Sequence, residues 1–265
     1  MITIKVLLMF AILVAGAAGG AFPLYRHRAL DSDRLLGWGN AFAAGVFLGA
    51  GLIHMLPDAD AAWVALGWSY PMAFLMAALA FVLMLLIEHV LLPDDAHQMV
   101  HAPSGERFAH VTEHSHGGVA AYAVVTTLAV HSFLAGLALG AEPELSGALV
   151  IFLAILAHKS TAGFALGVSL VRNQIPSRLA WGLLGLFVAA TPVGILVGTL
   201  LGEVLEGTDQ LMFEATFLSL AAGTFAYVAT LDILRDEFSE PGRRWSKWSL
   251  VAAGTAFMGV LALWA

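Results

Sequence analysis

Cysteine is absent from all 265 residues. Disulfides and thiolate metal sites are therefore both excluded. Any metal must be held by histidine, carboxylate, hydroxyl or carbonyl groups, a set suited to Zn, Fe, Mn, Co or Ni rather than Cu(I). Charge is also scarce: 12% of residues are charged, against roughly 25% in soluble domains. The net charge of -7 leaves no basic footprint, so no nucleic-acid partner is expected. What fills the chain instead is apolar surface, 60% of residues with a mean hydropathy of +0.85. A soluble domain has no interior large enough for that, so the bilayer is the expected solvent.

Eight apolar segments are long enough to cross a hydrocarbon core of ~30 Å. They lie at 2–24, 35–57, 70–92, 118–140, 146–171, 178–202, 211–234 and 247–265. An all-α, polytopic membrane protein with eight transmembrane helices follows, in one domain spanning 1–265. The connection at 93–117 is polar and carries His97, His101, His110, His114 and His116. It is expected to be a metal-collecting loop, or else a plain linker with incidental histidines.

Orientation follows from the basic residues. Arg26, Arg28, Arg34, Arg107, Arg172, Arg178, Arg235, Arg243, Arg244 and Lys247 all fall in alternate connections, and the opposite side holds only Lys5. The positive-inside rule makes the arginine-bearing connections cytoplasmic, including loop 93–117, and puts both termini outside. Residues 1–22 resemble a signal peptide, but its removal would invert the whole arginine bias, so a true first span is expected. Eight carboxylates (Asp58, Asp60, Glu142, Glu144, Glu203, Glu206, Asp209 and Glu214) fall on the opposite, acid-rich side. Such a rim either concentrates cations or simply solvates the surface.

Two segments share a pattern. Residues 131–140 read HSFLAGLALG and 158–167 read HKSTAGFALG. At 1.5 Å per residue, His131 and His158 lie roughly 13 and 18 Å below the outer end of their spans. Ionisable groups at that depth are costly and usually functional. Matched depth on adjacent antiparallel spans makes them a candidate ligand pair. Gly136 with Gly140, and Gly163 with Gly167, form G-x-x-x-G spacings that let helix backbones approach. The expectation is that these glycines bring the fourth and fifth spans together. Lys159 sits directly after His158, too deep to reach water easily.

These two stretches resemble the fourth and fifth helices of the ZIP (Zrt-/Irt-like) transporters. GVFLGAGLIHMLPDA at 45–59 is similar to that family's second helix, and AGTFAYVATLDILRDEF at 222–238 to its seventh. The resemblance covers nearly the whole chain. It implies a 3+2+3 arrangement, with helices 1–3 and 6–8 as inverted repeats around helices 4–5, and import of a divalent metal such as zinc or iron. By position it implies a metal site at His131, Ser132 and His158, an outer entrance at His54 and Asp58, and an inner exit at Glu88, His89 and Asp232. The chain departs from the family at Ala135 and Ala162, where many members carry Glu, at Thr191, where several carry a carboxylate, and at Lys159, where many carry an acid and some a Lys. A two-metal cluster bridged by carboxylates cannot form from these residues. One weakly held ion on His131 and His158 is expected, with Ser132 and water completing the shell.

No prosthetic group is expected; the divalent metal (Zn, Fe, Mn, Co, Ni or Cd) is the cargo. An intramembrane hydrolase would need a general-base carboxylate at the same depth, and spans four and five contain none. A repurposed relative, acting as metal sensor or carrying another cation, is the remaining alternative. The short loops suggest a bacterial inner membrane. A homodimer is compatible with the sequence.

Overall fold

Long apolar runs in a medium without water must satisfy every backbone N–H and C=O internally, which leaves the helix as the natural solution. The computed structural model describes residues 2–26, 32–91, 117–202, 207–239 and 243–263. Among these, the regular structure is entirely helical.

Among the described residues, eight rods follow one another. α1 is Ile2–Arg26. α2 runs over Ser32–Gly49, passes through a π-helical stretch at Ala50–Met55 and continues over Leu56–Ala65. α3 is Met72–Leu86 extended by a π-helical Ile87–Leu91. α4 is Gly117–Ala141, α5 Leu145–Arg172 and α6 Ser177–Gly202. α7 covers Thr208–Tyr227, a π-helical Val228–Leu234 and Arg235–Ser239. α8 is Arg244–Leu261. Six of the rods (α1, α2, α4, α5, α6 and α7) are long and apolar enough to cross a membrane by length and composition. α3 reaches that length only by adding its five π-helical residues to fifteen α-helical ones.

The second span overruns its expected end at residue 57 by eight residues. Proline normally clashes with the carbonyl four residues back and lacks the N–H to bond it. Here the turn before Pro57 is widened, with the Leu56 N–H bonding the Gly51 carbonyl five residues back. The helix thus continues past the proline. Asp58 and Asp60, expected in an outer connection, lie on this helical extension.

The helices sort by contact. α4 packs extensively on α6, and α1 on α5; α2 packs on α8, and α3 on α7. α1, α4, α5 and α6 thus form one group and α2, α3, α7 and α8 another. The groups meet mainly where α2 lies on α5 and on the edge between α4 and α7. Phe47, Leu128, Leu166, Phe187 and Phe225 fill the buried centre, while Leu7, Phe10, Leu79, Leu196 and Leu200 face outward as a lipid-facing surface requires.

The close-approach glycines work differently from the expectation above. A methyl group on Gly136 would strike the Thr191 carbonyl of α6, and one on Gly163 would strike the Gly16 carbonyl of α1. The motif therefore docks α4 on α6 and α5 on α1; it does not hold α4 against α5. The reason lies in helical period. A glycine five residues after a histidine sits roughly 140° around the helix from it. One partner cannot meet both faces. Gly136→Val should lower stability by about 3 kcal/mol, since overpacking here meets backbone. The check is the thermal midpoint of the detergent-solubilised protein, with Gly182→Val, a site with nothing within 4 Å of an added carbon, as the control.

Candidate metal centre

α4 and α5 turn their histidine faces toward each other once the glycine faces are committed elsewhere. The imidazoles of His131 and His158 have centroids 5.6 Å apart, with planes inclined at 63°. Zn–N bonds of about 2.0–2.1 Å set the ring centroids of two imidazoles on one ion about 5–6.5 Å apart. The observed separation lies inside that range. The rings are 2% and 4% exposed, so both are inside the protein and not in lipid. Neither ring nitrogen of His131 meets a hydrogen-bond partner among the described residues, and neither does Nδ1 of His158. Buried polar atoms are seldom left so, and three unpaired imidazole nitrogens in one place are a donor set suited to a cation.

Lys159 occupies the flank of this pair. Its Nζ donates to Ser132 Oγ at 2.9 Å, to Thr191 Oγ1 at 2.9 Å and to the Phe187 carbonyl at 3.3 Å. It also lies 3.8 Å from the centre of the Phe187 ring. Three oxygen acceptors and an aromatic face satisfy an ammonium completely. Ser132 is thereby held by the lysine as an acceptor. Thr191, where the family resemblance led one to look for a carboxylate, serves the same cation. Pro192 lies inside α6, which continues through it.

A third ring completes the cluster. Phe225 of α7 stacks on His131 with centroids 3.6 Å apart and meets His158 edge-on at 5.2 Å. Phe47 of α2 stacks on Phe225 with centroids 4.9 Å apart. Sequence reading did not single out Phe225, because an aromatic residue in an apolar helix carries no signal of its own.

Toward the acid-rich end, His54 Nδ1 lies 3.0 Å from Asp58 Oδ2, one helical turn away on α2. His54 is also near enough to His158 to act on it electrostatically. A small cavity beside this path is lined by Met55, Ala135, Phe213, Glu214 and Phe217, among others. Toward the arginine-bearing end, Glu88 accepts a hydrogen bond from the Tyr227 hydroxyl at 2.8 Å. Asp232 shares a side-chain hydrogen bond with the same Glu88. Tyr227 was not anticipated; its buried hydroxyl in an otherwise apolar stretch, five residues before Asp232, was the available clue.

His54, Glu88 and Asp232 each lie in one of the three π-helical stretches. Such widened turns recur at functional sites because they re-aim side chains. His89 belongs to the second stretch, and its side chain lies outside the described residues. His97, His101, His110, His114 and His116 also lie outside them. Among the described residues, no three histidine, aspartate or glutamate side chains converge on one point. The imidazole pair would thus need water or a hydroxyl to complete a shell.

A second buried polar cluster lies at the arginine-bearing end. Glu237 of α7, 1% exposed, pairs with Arg172 of α5 at 2.7 Å and with Lys247 of α8 at 3.0 Å. Asn40 of α2 donates to the same carboxylate at 3.1 Å. Arg172 and Lys247, read above only as markers of orientation, are here structural.

The profile described as ZIP Zinc transporter matches residues 2–262. The chain is 31% identical to Zinc transporter ZIP2 of Homo sapiens over 311 aligned positions, covering 99% of this chain and 98% of that protein. It is 30% identical to Zinc transporter ZIP1 of Bos taurus, across 83% of this chain and 75% of the relative. It is 27% identical to Probable zinc transporter 12 of Arabidopsis thaliana, across 98% and 86% respectively.

Proposed function

The chain belongs to the ZIP zinc transporter family, and we propose that it carries zinc or another divalent cation toward the cytoplasm through a mid-membrane site on His131 and His158. The observation that carries this reading is the buried imidazole pair, spaced for one ion and unpaired at three nitrogens. His54 and Asp58 receive the ion from the acid-rich face. Glu88 and Asp232 accept it at the arginine-bearing face, with Tyr227 orienting Glu88. Arginine bias makes that second face cytoplasmic, with both termini outside.

The pairing of helices supports a 3+2+3 plan with inverted repeats in a single domain. α1 on α5 is matched by α6 on α4, α2 on α8 by α7 on α3, and α2 on α5 by α7 on α4. The π-helical stretches of α2 and α7 fall at matching places under the same exchange. Inverted repeats around a midplane site allow one group of helices to rock against the other, exposing the site to each side in turn. A site of two neutral ligands binds weakly, and weak binding favours release.

The test is zinc uptake into proteoliposomes containing a trapped zinc-sensitive dye. His131→Ala and His158→Ala should each lower the uptake rate by at least ~100-fold, about 2.7 kcal/mol of lost stabilisation. Wild-type rates in both variants would remove the pair from the path.

A second reading has one observation in its favour. The ammonium of Lys159 stands beside the pair, where a carboxylate would help a dication. A sensor that binds metal without passing it would show zinc binding but no uptake of Zn, Fe, Mn, Co, Ni or Cd. Under the transport reading, Ala135→Glu and Ala162→Glu each tighten zinc binding by about tenfold or more, because a carboxylate is added to a buried site. Equilibrium dialysis against zinc measures this.

A further inference from the structure

We infer that Phe225 is the gate of the histidine pair: a ring carried by one helix group that covers a site carried by the other. This rests on the reading of His131 and His158 as ligands. The three rings form a triangle with centroid separations of 5.6, 3.6 and 5.2 Å. Those distances put the Phe225 centroid about 3.5 Å from the midpoint between the imidazole centroids, so an atom at that midpoint would be in van der Waals contact with the ring. Zinc takes four ligands in a tetrahedral shell. The pair supplies two, and the remaining positions need water or hydroxyl oxygen. On the side where Phe225 stands, the space holds aromatic carbon instead. The ion and its completing ligands can enter that side only after the ring leaves.

The ring and the site it covers sit on different helix groups. His131 and His158 belong to α4 and α5, while Phe225 belongs to α7 and is backed by Phe47 of α2. The ring covering the site and the ring stacked on it both come from the group that does not contain the site. A shift of one group against the other would carry Phe225, with Phe47 stacked on it, off the imidazoles. The π-helical stretch of α7 begins three residues after Phe225, so the helix is already unwound from regular geometry beside the gate. Phe225 is fully buried and makes no polar contact, so its part is to exclude water and cation until the groups move.

If only a fraction of molecules has the ring withdrawn, apparent affinity is reduced by that fraction. Removing the ring restores it; enlarging the ring reduces it further. The experiment is equilibrium dialysis of the purified full chain in detergent against radiotracer zinc. Phe225→Ala should tighten zinc binding by about tenfold, and Phe225→Trp should weaken it by a similar factor. A merely structural role would weaken binding in both variants, so the opposite signs are the signature. Phe225→Leu keeps apolar bulk without the ring face and should fall between wild type and alanine; it carries the test if the alanine variant elutes as an aggregate. His131→Ala is measured beside them. If it loses zinc while the Phe225 variants all bind like wild type, the gate is overturned and the ligand pair stands. If His131→Ala binds zinc normally, the pair is overturned and the gate with it.

Discussion

Glu237→Ala should destabilise the folded protein by about 3–5 kcal/mol, the usual effect of removing one partner from a buried ion pair. The carboxylate is 1% exposed and faces two cations, Arg172 at 2.7 Å and Lys247 at 3.0 Å. Its loss leaves a 10%-exposed ammonium and a partly covered guanidinium with no counter-charge. The Asn40 amide loses its acceptor as well. These partners come from α2, α5, α7 and α8, so the carboxylate pins one helix of the site-bearing group to three helices of the other. Glu237→Gln keeps the shape and the acceptor for Asn40 but not the charge, and should cost nearly as much as alanine. The thermal midpoint in detergent reads both. A midpoint unchanged from wild type in the alanine variant would mean that the two cations are solvated and the cluster is incidental.

Lys159→Met should tighten zinc binding by at least tenfold while slowing turnover. An ammonium beside the pair repels a dication, and burial strengthens that repulsion relative to water. Methionine matches the lysine stem in length and removes that repulsion. Part of the gain is offset, because Ser132, Thr191 and the Phe187 carbonyl lose their shared donor. The two hydroxyls have recourse to backbone carbonyls of their own helices, as Thr199 and Ser219 do elsewhere in the chain, so the offset is modest. Tighter binding without a change in the path slows release, so KM and kcat should fall together in proteoliposome uptake. Lys159→Arg retains the charge and should leave zinc affinity within a few-fold of wild type. Equal affinity in the methionine and wild-type proteins would show that the lysine serves packing alone.

Much of the fold is legible in the amino-acid sequence. All eight rods lie where the apolar runs place them, because in lipid a long apolar segment has no other way to satisfy its backbone. The overrun of α2 past Pro57 was not legible, since a proline ordinarily ends a helix and a π turn leaves no mark in composition. Family membership was also readable, from local motifs around His131, His158, His54 and Asp232 that tolerate divergence elsewhere. The glycine partners were misassigned. G-x-x-x-G announces close approach, but only the angular offset from the histidine says that the approach is to α1 and α6.

The amino-acid sequence by itself determined the helices, the lack of any thiol, and the family. Tertiary structure alone decided which side chains from distant helices share a space: the Phe225 ring over the imidazoles, the Lys159 ammonium between Ser132 and Thr191, Tyr227 on Glu88, and Glu237 between Arg172 and Lys247. The division has a physical cause. Helix formation and burial depth depend on runs of neighbouring residues, whereas a contact between helices depends on how two or more faces, far apart in the chain, are rotated when they pack.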